Sequence, residues 1–395
     1  MPTQRQLFLH HLAQTSDIPL GLEIERAEGC MMWDKDGKKY LDLIAGISVS
    51  SLGHRHPAVL KAIAAQLDKY MHLMVYGEYI QSPQVEFATL LKAHLPATLN
   101  TVYFTNSGTE ATEGAMKLAK RATGRSEFVS CKNAYHGSSQ GSLSLAGNEW
   151  LKSSFRPLLP GITNIDFNKK EDFKHITRQT AAVFIEPVQA EAGALVPDED
   201  YLKSLQAHCN TVGALLVFDE IQTGMGRTGT LWAMEVENAL PDILLTGKAL
   251  GGGMPLGAFV AGHDLMKLLS FNPVLGHITT FGGHPVSCAA GKAALEALIT
   301  GNVINSVNAK EKLFRELLVS PRIKGLHGRG LLLAMELENF QEVQLLIAHC
   351  LKKGVVTDWF LFNDRCIRIA PPLIITESEI RFACEVIMEG VMNLN

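Results

Sequence analysis

The sequence predicts an α/β fold: a large domain built on a mostly parallel, doubly wound sheet, with a smaller α+β companion. Three observations carry that reading. Short apolar, β-branched runs recur between residues 101 and 262, helical patterns separate many of them, and their spacing suits strand-crossover-strand units. A chain of 395 residues is too long for one small core, and an apolar content of 47% can fill a large one.

The candidate strands are TVYFT (101–105), EFVSC (127–131), AAVFIEP (181–187), ALLVFDE (214–220), DILLTG (242–247) and GAFVAG (257–262). Helical patterns cover 56–70, 108–123 and 198–213. Glu186 and Asp219 lie 33 residues apart, and Asp219 and Lys248 lie 29 apart. Asp219 and Lys248 therefore fall where strands finish, and open parallel sheets bind ligands beside the carboxyl ends of their strands. CMMWDKDGKKYLDL (30–43) reads as a hairpin turning at Asp36-Gly37. The last hundred residues carry short strands at GRGLLLAMEL (328–337) and CIRIAPP (366–372). The expected division is residues 1–50 and 296–395 for the small domain and 51–295 for the large one.

Composition narrows the partners. The net charge is −4 with no basic block, which argues against nucleic acid. Seven cysteines, an odd number with no close pairs, predict reduced thiols and a cytoplasmic address. The N-terminus lacks the apolar run of a signal peptide, and no stretch approaches the roughly 20 apolar residues of a membrane span, so no membrane partner is expected.

Several motifs have modest readings. SGTE (107–110) follows a strand and opens a helix, as a capping box does; Gly108 and the free N–H groups of that helix start also suit a phosphate. GSSQG (137–141) matches a nucleophile elbow around Ser139, but the apolar strand ends near Cys131, several residues too early. GMGRTG (224–229) matches a dinucleotide fingerprint, yet EIQT separates it from the strand end. HRH (54–56) offers two imidazoles without a clustered third ligand, and a lone His136 in a Gly/Ser loop is more often structural, so no metal is expected. Lys248 fails the phosphate-loop pattern, because Asp242 and Ala249 stand where Gly and Ser/Thr are required. Arg368 on a short strand suits a bidentate carboxylate clamp, and Glu191 in EPVQAEAG can pair with it.

Taken in order, a phosphate cradle, an aromatic, a strand-end aspartate and a strand-end lysine form a set that suits pyridoxal phosphate. At these residues the sequence resembles the class III (ω-)aminotransferases of fold type I, and within them the acetylornithine/ornithine branch. The motifs are TNSGTEATEGAMKLAK (105–120), NAYHG (133–137), EPVQAEAG (186–193), LLVFDEIQTGMGRTG (215–229), TGKALGGGMPLGA (246–258), TTFGGHP (279–285) and RIAPPL (368–373). The resemblance spans nearly the whole chain and implies a homodimer with active sites at the interface. It implies that Lys248 holds the cofactor's aldehyde and acts as general base. Asp219 would pair with the ring nitrogen, Gln222 contact the ring hydroxyl, and Tyr135 stack on the ring, with His136 beside them. Ser107, Gly108 and Thr109 would hold the phosphate, and Thr280 would reach it from the neighbouring subunit. Glu191 and Arg368 match the family's switchable pair, in which the arginine binds an α-carboxylate once the glutamate lets go. The implied reaction moves the terminal amine of an amino acid such as acetylornithine, ornithine or 4-aminobutyrate to a keto acid such as 2-oxoglutarate, in two half-reactions. An aminomutase, or a non-catalytic binding relative, are the alternatives on the same fold.

There is one departure. In the acetylornithine, ornithine and 4-aminobutyrate enzymes an arginine usually follows the aromatic-His-Gly triplet and binds the carboxylate remote from the reacting amine. Here that substrate-binding position is Ser138, and a hydroxyl does not replace a guanidinium fork. Arg125, Lys132 and His136 are the candidates to compensate. Ala190, where the family often has glycine, is a smaller change.

Overall fold

The computed structural model describes residues 2–394. Its main sheet has seven strands, in the spatial order 101–105, 257–261, 243–246, 215–219, 180–185, 127–131 and 162–165. Neighbours from 243–246 through 162–165 pair in parallel. Gly257–Ala261 opposes both of its neighbours. The length of the preceding link explains that reversal. Ten residues separate Thr246 from Gly257, and a parallel return takes a dozen or more.

Alternate residues of each central strand serve opposite faces. Phe184, Val217, Leu245 and Phe259 join one buried cluster with the helix Gly108–Thr123. Val183, Ile185, Leu216, Phe218, Leu244 and Val260 join the other. Both faces are thus covered, which is why these strands read as unbroken apolar runs. The helix Gly108–Thr123 lies close to the sheet because Gly114 has no Cβ; one there would stand 2.4 Å from the Phe259 ring. Ser107 caps its start and Gly124, at φ 68°, ends it.

Two four-stranded sheets flank this layer. One joins the chain's two ends: Ile24–Glu28, Met31–Asp34 and Lys39–Asp42 run antiparallel, and Val355–Val356 adds in parallel to Lys39–Asp42. The expected turn at Asp36-Gly37 is present, with the Asp34 carboxylate accepting the N–H groups of Asp36 and Lys38. The other sheet is antiparallel and contains Gly325–Arg329, Leu332–Glu336, Asn363–Ile369 and Trp359–Phe360. The run 328–337 therefore splits into the end of one strand and the whole of the next, with Gly330 at φ 62° in the turn.

The Gly-rich loop GMGRTG ties these layers together. Arg227 is fully buried and donates to the carbonyls of Leu331 at 2.8 Å and Pro371 at 2.6 Å. All seven cysteines are buried and unpaired in disulfides. Among the described residues no helix is long and apolar enough to cross a membrane.

Candidate active site

A cavity of about 280 Å³ opens at the carboxyl ends of the parallel strands. Each strand delivers its polar group there by ending. Ser107–Thr109 follow Thr101–Thr105, Tyr135–Ser138 follow Glu127–Cys131, and Glu186 follows Thr180–Ile185 directly. Asp219 is the last residue of its strand, and Lys248 stands two residues beyond Thr246.

Lys248 occupies the left-handed region at φ 48°, a conformation that costs a side-chain-bearing residue and clusters at functional sites. The following turn reverses through Gly252 and Gly253, at φ 61° and 101°. A Cβ on Gly252 would meet the Ala290 carbonyl at 2.9 Å, so the turn also needs the bare backbone. The Lys248 Nζ donates to Gln222 Oε1 at 2.7 Å. Burial pulls its amine below the ordinary lysine range against the opposing pull of Glu191, and Arg368 adds to the lowering.

Behind the cavity, His136 Nδ1 lies 2.7 Å from Asp219 Oδ2, with both side chains buried. The other Asp219 oxygen accepts the Ile221 N–H at 3.0 Å. Burial depresses the imidazole pKa, but the bond to Asp219 and its charge outweigh that and raise it. His136 is thus a partner of Asp219 rather than a lone loop histidine. Glu186 lies beside this pair and accepts the N–H groups of Tyr135 at 3.3 Å and Ala190 at 3.1 Å. Burial pushes its carboxyl up to about 7.

The Thr109 side chain departs from expectation. Its hydroxyl lies 2.7 Å from Ser139 Oγ and 2.6 Å from Ser142 Oγ, within a hydroxyl cluster, so its backbone is what remains for an anion. Glu113 anchors that cluster by accepting from Ser139 Oγ at 2.6 Å and from the Gly141 N–H at 2.8 Å. Ser139 has a carboxylate rather than a histidine as its partner, which removes the nucleophile-elbow reading. Ser107 accepts the Glu110 N–H at 3.4 Å. The helix has 16 residues, and the remaining N–H groups of its first turn suit an anion.

Glu191 and Arg368 meet in a bidentate pair, with both N···O distances 3.0 Å. Arg368 holds a second carboxylate that sequence reasoning missed: its Nε donates to Asp358 Oδ1 at 2.8 Å. Arg368 holds Glu191 well ionised against burial, while burial raises the Asp358 carboxyl.

Ser138 is exposed, and its hydroxyl lies 2.9 Å from Tyr135 Oη. None of the candidates to compensate for it does so. Arg125 donates to the carbonyls of Thr180, Val212 and Gly213, Lys132 pairs with Asp166 at 2.8 Å, and His136 is held by Asp219. Thr280 is exposed and stands outside this cavity in the single chain. In the HRH stretch His54 lies 2.8 Å from Asp42, and no metal-binding cluster forms among the described residues.

The site fits pyridoxal phosphate by its chemistry. A lysine amine, a carboxylate at a strand end and a helix start converge on one cavity. Gln222 Nε2 is buried with no hydrogen-bond partner among the described residues, as a donor awaiting a ligand oxygen would be.

Comparison with known proteins agrees. Residues 12–391 match the family profile Aminotransferase class-III. The acetylornithine aminotransferase of Methanopyrus kandleri is 38% identical, with 95% of each chain covered. The [LysW]-aminoadipate semialdehyde/glutamate semialdehyde transaminase of Sulfolobus acidocaldarius is 35% identical over 95% of this chain and 96% of its own. The solved ornithine aminotransferase of Toxoplasma gondii superimposes with a TM-score of 0.91 at 29% identity, covering 98% of this chain and 92% of that one. The chain therefore belongs to the class-III aminotransferases, which are pyridoxal-phosphate-dependent transaminases.

Proposed function

We propose that this aminotransferase takes an amino group from the terminal amine of an amino acid and passes it to a keto acid in two half-reactions, with Lys248 as the acting base. The donors to test first are acetylornithine, ornithine and 4-aminobutyrate, and the acceptors 2-oxoglutarate and pyruvate. The carrying observation is the Lys248 amine, held by Gln222 in the cavity that Asp219 and Glu191 also line.

Pyridoxal phosphate, when bound, supplies an aldehyde and an electron-withdrawing ring that acidifies the C–H beside the transferred amine. The protein's part is positional and acid–base. Burial lowers the proton affinity of Lys248, which favours the unprotonated amine that would take and return that proton at Nζ. Asp219 is the carboxylate suited to hold a proton on the ring nitrogen, and His136 fixes its orientation. Gln222 Nε2 would donate to the ring hydroxyl, Tyr135 would cover the ring face, and the N–H groups of Ser107, Gly108 and Thr109 would take the phosphate. Arg368 would take a carboxylate beside the reacting amine when Glu191 releases it. The proposed assembly is a cytoplasmic homodimer in which Thr280 completes the neighbour's phosphate site, with a small domain drawn from 1–50 and 296–395. The large exposed side chains Phe281 and Ile278 near Thr280 support such an interface.

Two measurements test this. Borohydride reduction followed by peptide mapping should place the pyridoxyl group on Lys248; a label elsewhere overturns the assignment. A donor given alone should release one carbonyl product per site, and a keto acid added later should be aminated. A product that is a rearranged amine, formed with no keto acid, would instead establish the aminomutase.

A further inference from the structure

Arg368 is paired on two different edges, and the two carboxylates differ in how they are attached to it. Glu191 covers the outer edge, taking both terminal nitrogens at 3.0 Å. Asp358 takes Nε at 2.8 Å. Glu191 lines the cavity and Asp358 does not, so an incoming carboxylate meets Glu191 first and can replace only that partner. Asp358 also belongs to the same hairpin as the arginine. The Arg368 N–H donates to the Asp358 carbonyl at 2.8 Å, and the Thr357 hydroxyl donates to the Arg368 carbonyl at 2.5 Å. Glu191 comes from a separate segment, held to the hairpin by the Leu361 and Phe362 N–H groups. Beneath the guanidinium, the Phe360 ring lies 4.4 Å from Cζ.

The Arg368 side chain is 3% exposed. Stripping a buried guanidinium of its sole carboxylate leaves an uncompensated buried charge, which is strongly destabilising. With Asp358 in place, the departure of Glu191 does not leave it bare.

We propose that Asp358 is a positioning residue for the carboxylate clamp. It stays on Nε of Arg368 when Glu191 leaves, keeping the guanidinium paired and its outer N–H groups aimed at a substrate carboxylate. The role rests on the proposed reading of Arg368 as the carboxylate-binding residue.

A matched pair of donors tests it on the holoenzyme: L-alanine, and isopropylamine, in which a methyl replaces the carboxylate. In Asp358→Ala the ratio of kcat/KM for alanine over isopropylamine should fall about tenfold, as loss of a charge-assisted hydrogen bond predicts, with the change in KM rather than kcat. Asp358→Asn keeps an acceptor for Nε and should recover part of the ratio; it also decides the matter if the alanine variant does not fold. A ratio within twofold of wild type in the variants, or an equal fall for both donors, overturns the proposal. Calorimetric binding of pyruvate to the holoenzyme gives a readout independent of turnover and should weaken in the same order. Wild-type protein that aminates nothing but binds pyruvate, with an affinity that falls in the Asp358 variants, would refute the proposed function while sustaining this inference; wild-type protein that binds no pyruvate overturns it.

Discussion

Arg227 and Arg368 are both buried arginines, and their surroundings are opposite. Arg227 bonds to two main-chain carbonyls and, at 3.5 Å, to the Ser51 hydroxyl. Burial among neutral partners pulls its pKa down to about 9. Arg368 sits between two carboxylates, which raise its pKa against the burial that would lower it. The carbonyls of Leu331 and Pro371 belong to the folded backbone and cannot be exchanged for a ligand. A carboxylate on a separate segment can. One guanidinium is therefore a latch between layers, and the other is suited to read a substrate.

The comparison predicts different losses. Arg227→Met should cost roughly 2–5 kcal/mol of stability in denaturant unfolding, because two buried carbonyls lose their donor, and should leave the alanine-to-isopropylamine ratio of the folded enzyme unchanged. A change in that ratio would break the distinction. Arg368→Met should lower the same ratio about a hundredfold through loss of a bidentate charge-assisted pair, measured by steady-state kinetics. Ser138→Arg should sharpen the contrast by adding a second reader: KM for 2-oxoglutarate and 4-aminobutyrate should drop about tenfold, with little change for pyruvate. No shift across that panel would mean that Ser138 does not face the distal end of the substrate.

The smallest expected effect concerns Glu186, a buried carboxyl with no arginine at all. Its pKa is raised from 4.5 to about 7, so between those values the folded chain binds more protons than the unfolded one. Stability attributable to this group is therefore present below pH 4.5 and is lost as pH rises to about 7. Glu186→Gln should flatten the melting-temperature profile across that window, by an effect on the order of 1 kcal/mol per pH unit at most. An unaltered slope would assign the pH dependence to other groups, Glu220 first, whose carboxyl burial also pushes up to about 7.

Much of the site was legible because its residues stand at strand ends in a fixed chain order. Asp219, Lys248, Ser107 and Tyr135 needed only the strands to be located, and apolar runs covered on both faces locate them well. Asp358 was not legible. Trp359–Phe360 is a two-residue strand, too short to show a period, and the contact with Arg368 depends on its hairpin register. Glu186 was visible as a strand end, but its raised pKa comes from burial against neighbours brought by other segments. Arg125 and Lys132 looked able to replace the missing arginine because chain proximity says nothing of direction. Arg125 turns instead to the carbonyls that end the helix Tyr201–Val212.

The sequence by itself determined the layered α/β fold, the family and the position of Lys248 just past a strand end, since each depends on local pattern and on order along the chain. It even contained the reversal of Gly257–Ala261, in a link too short for a crossover. Only the tertiary structure decided which charged groups meet. The second carboxylate on Arg368, the histidine behind Asp219 and the engagement of Arg125 and Lys132 away from Ser138 are all matters of packing, which places side chains from distant segments within a few ångströms and sets their charge by what surrounds them.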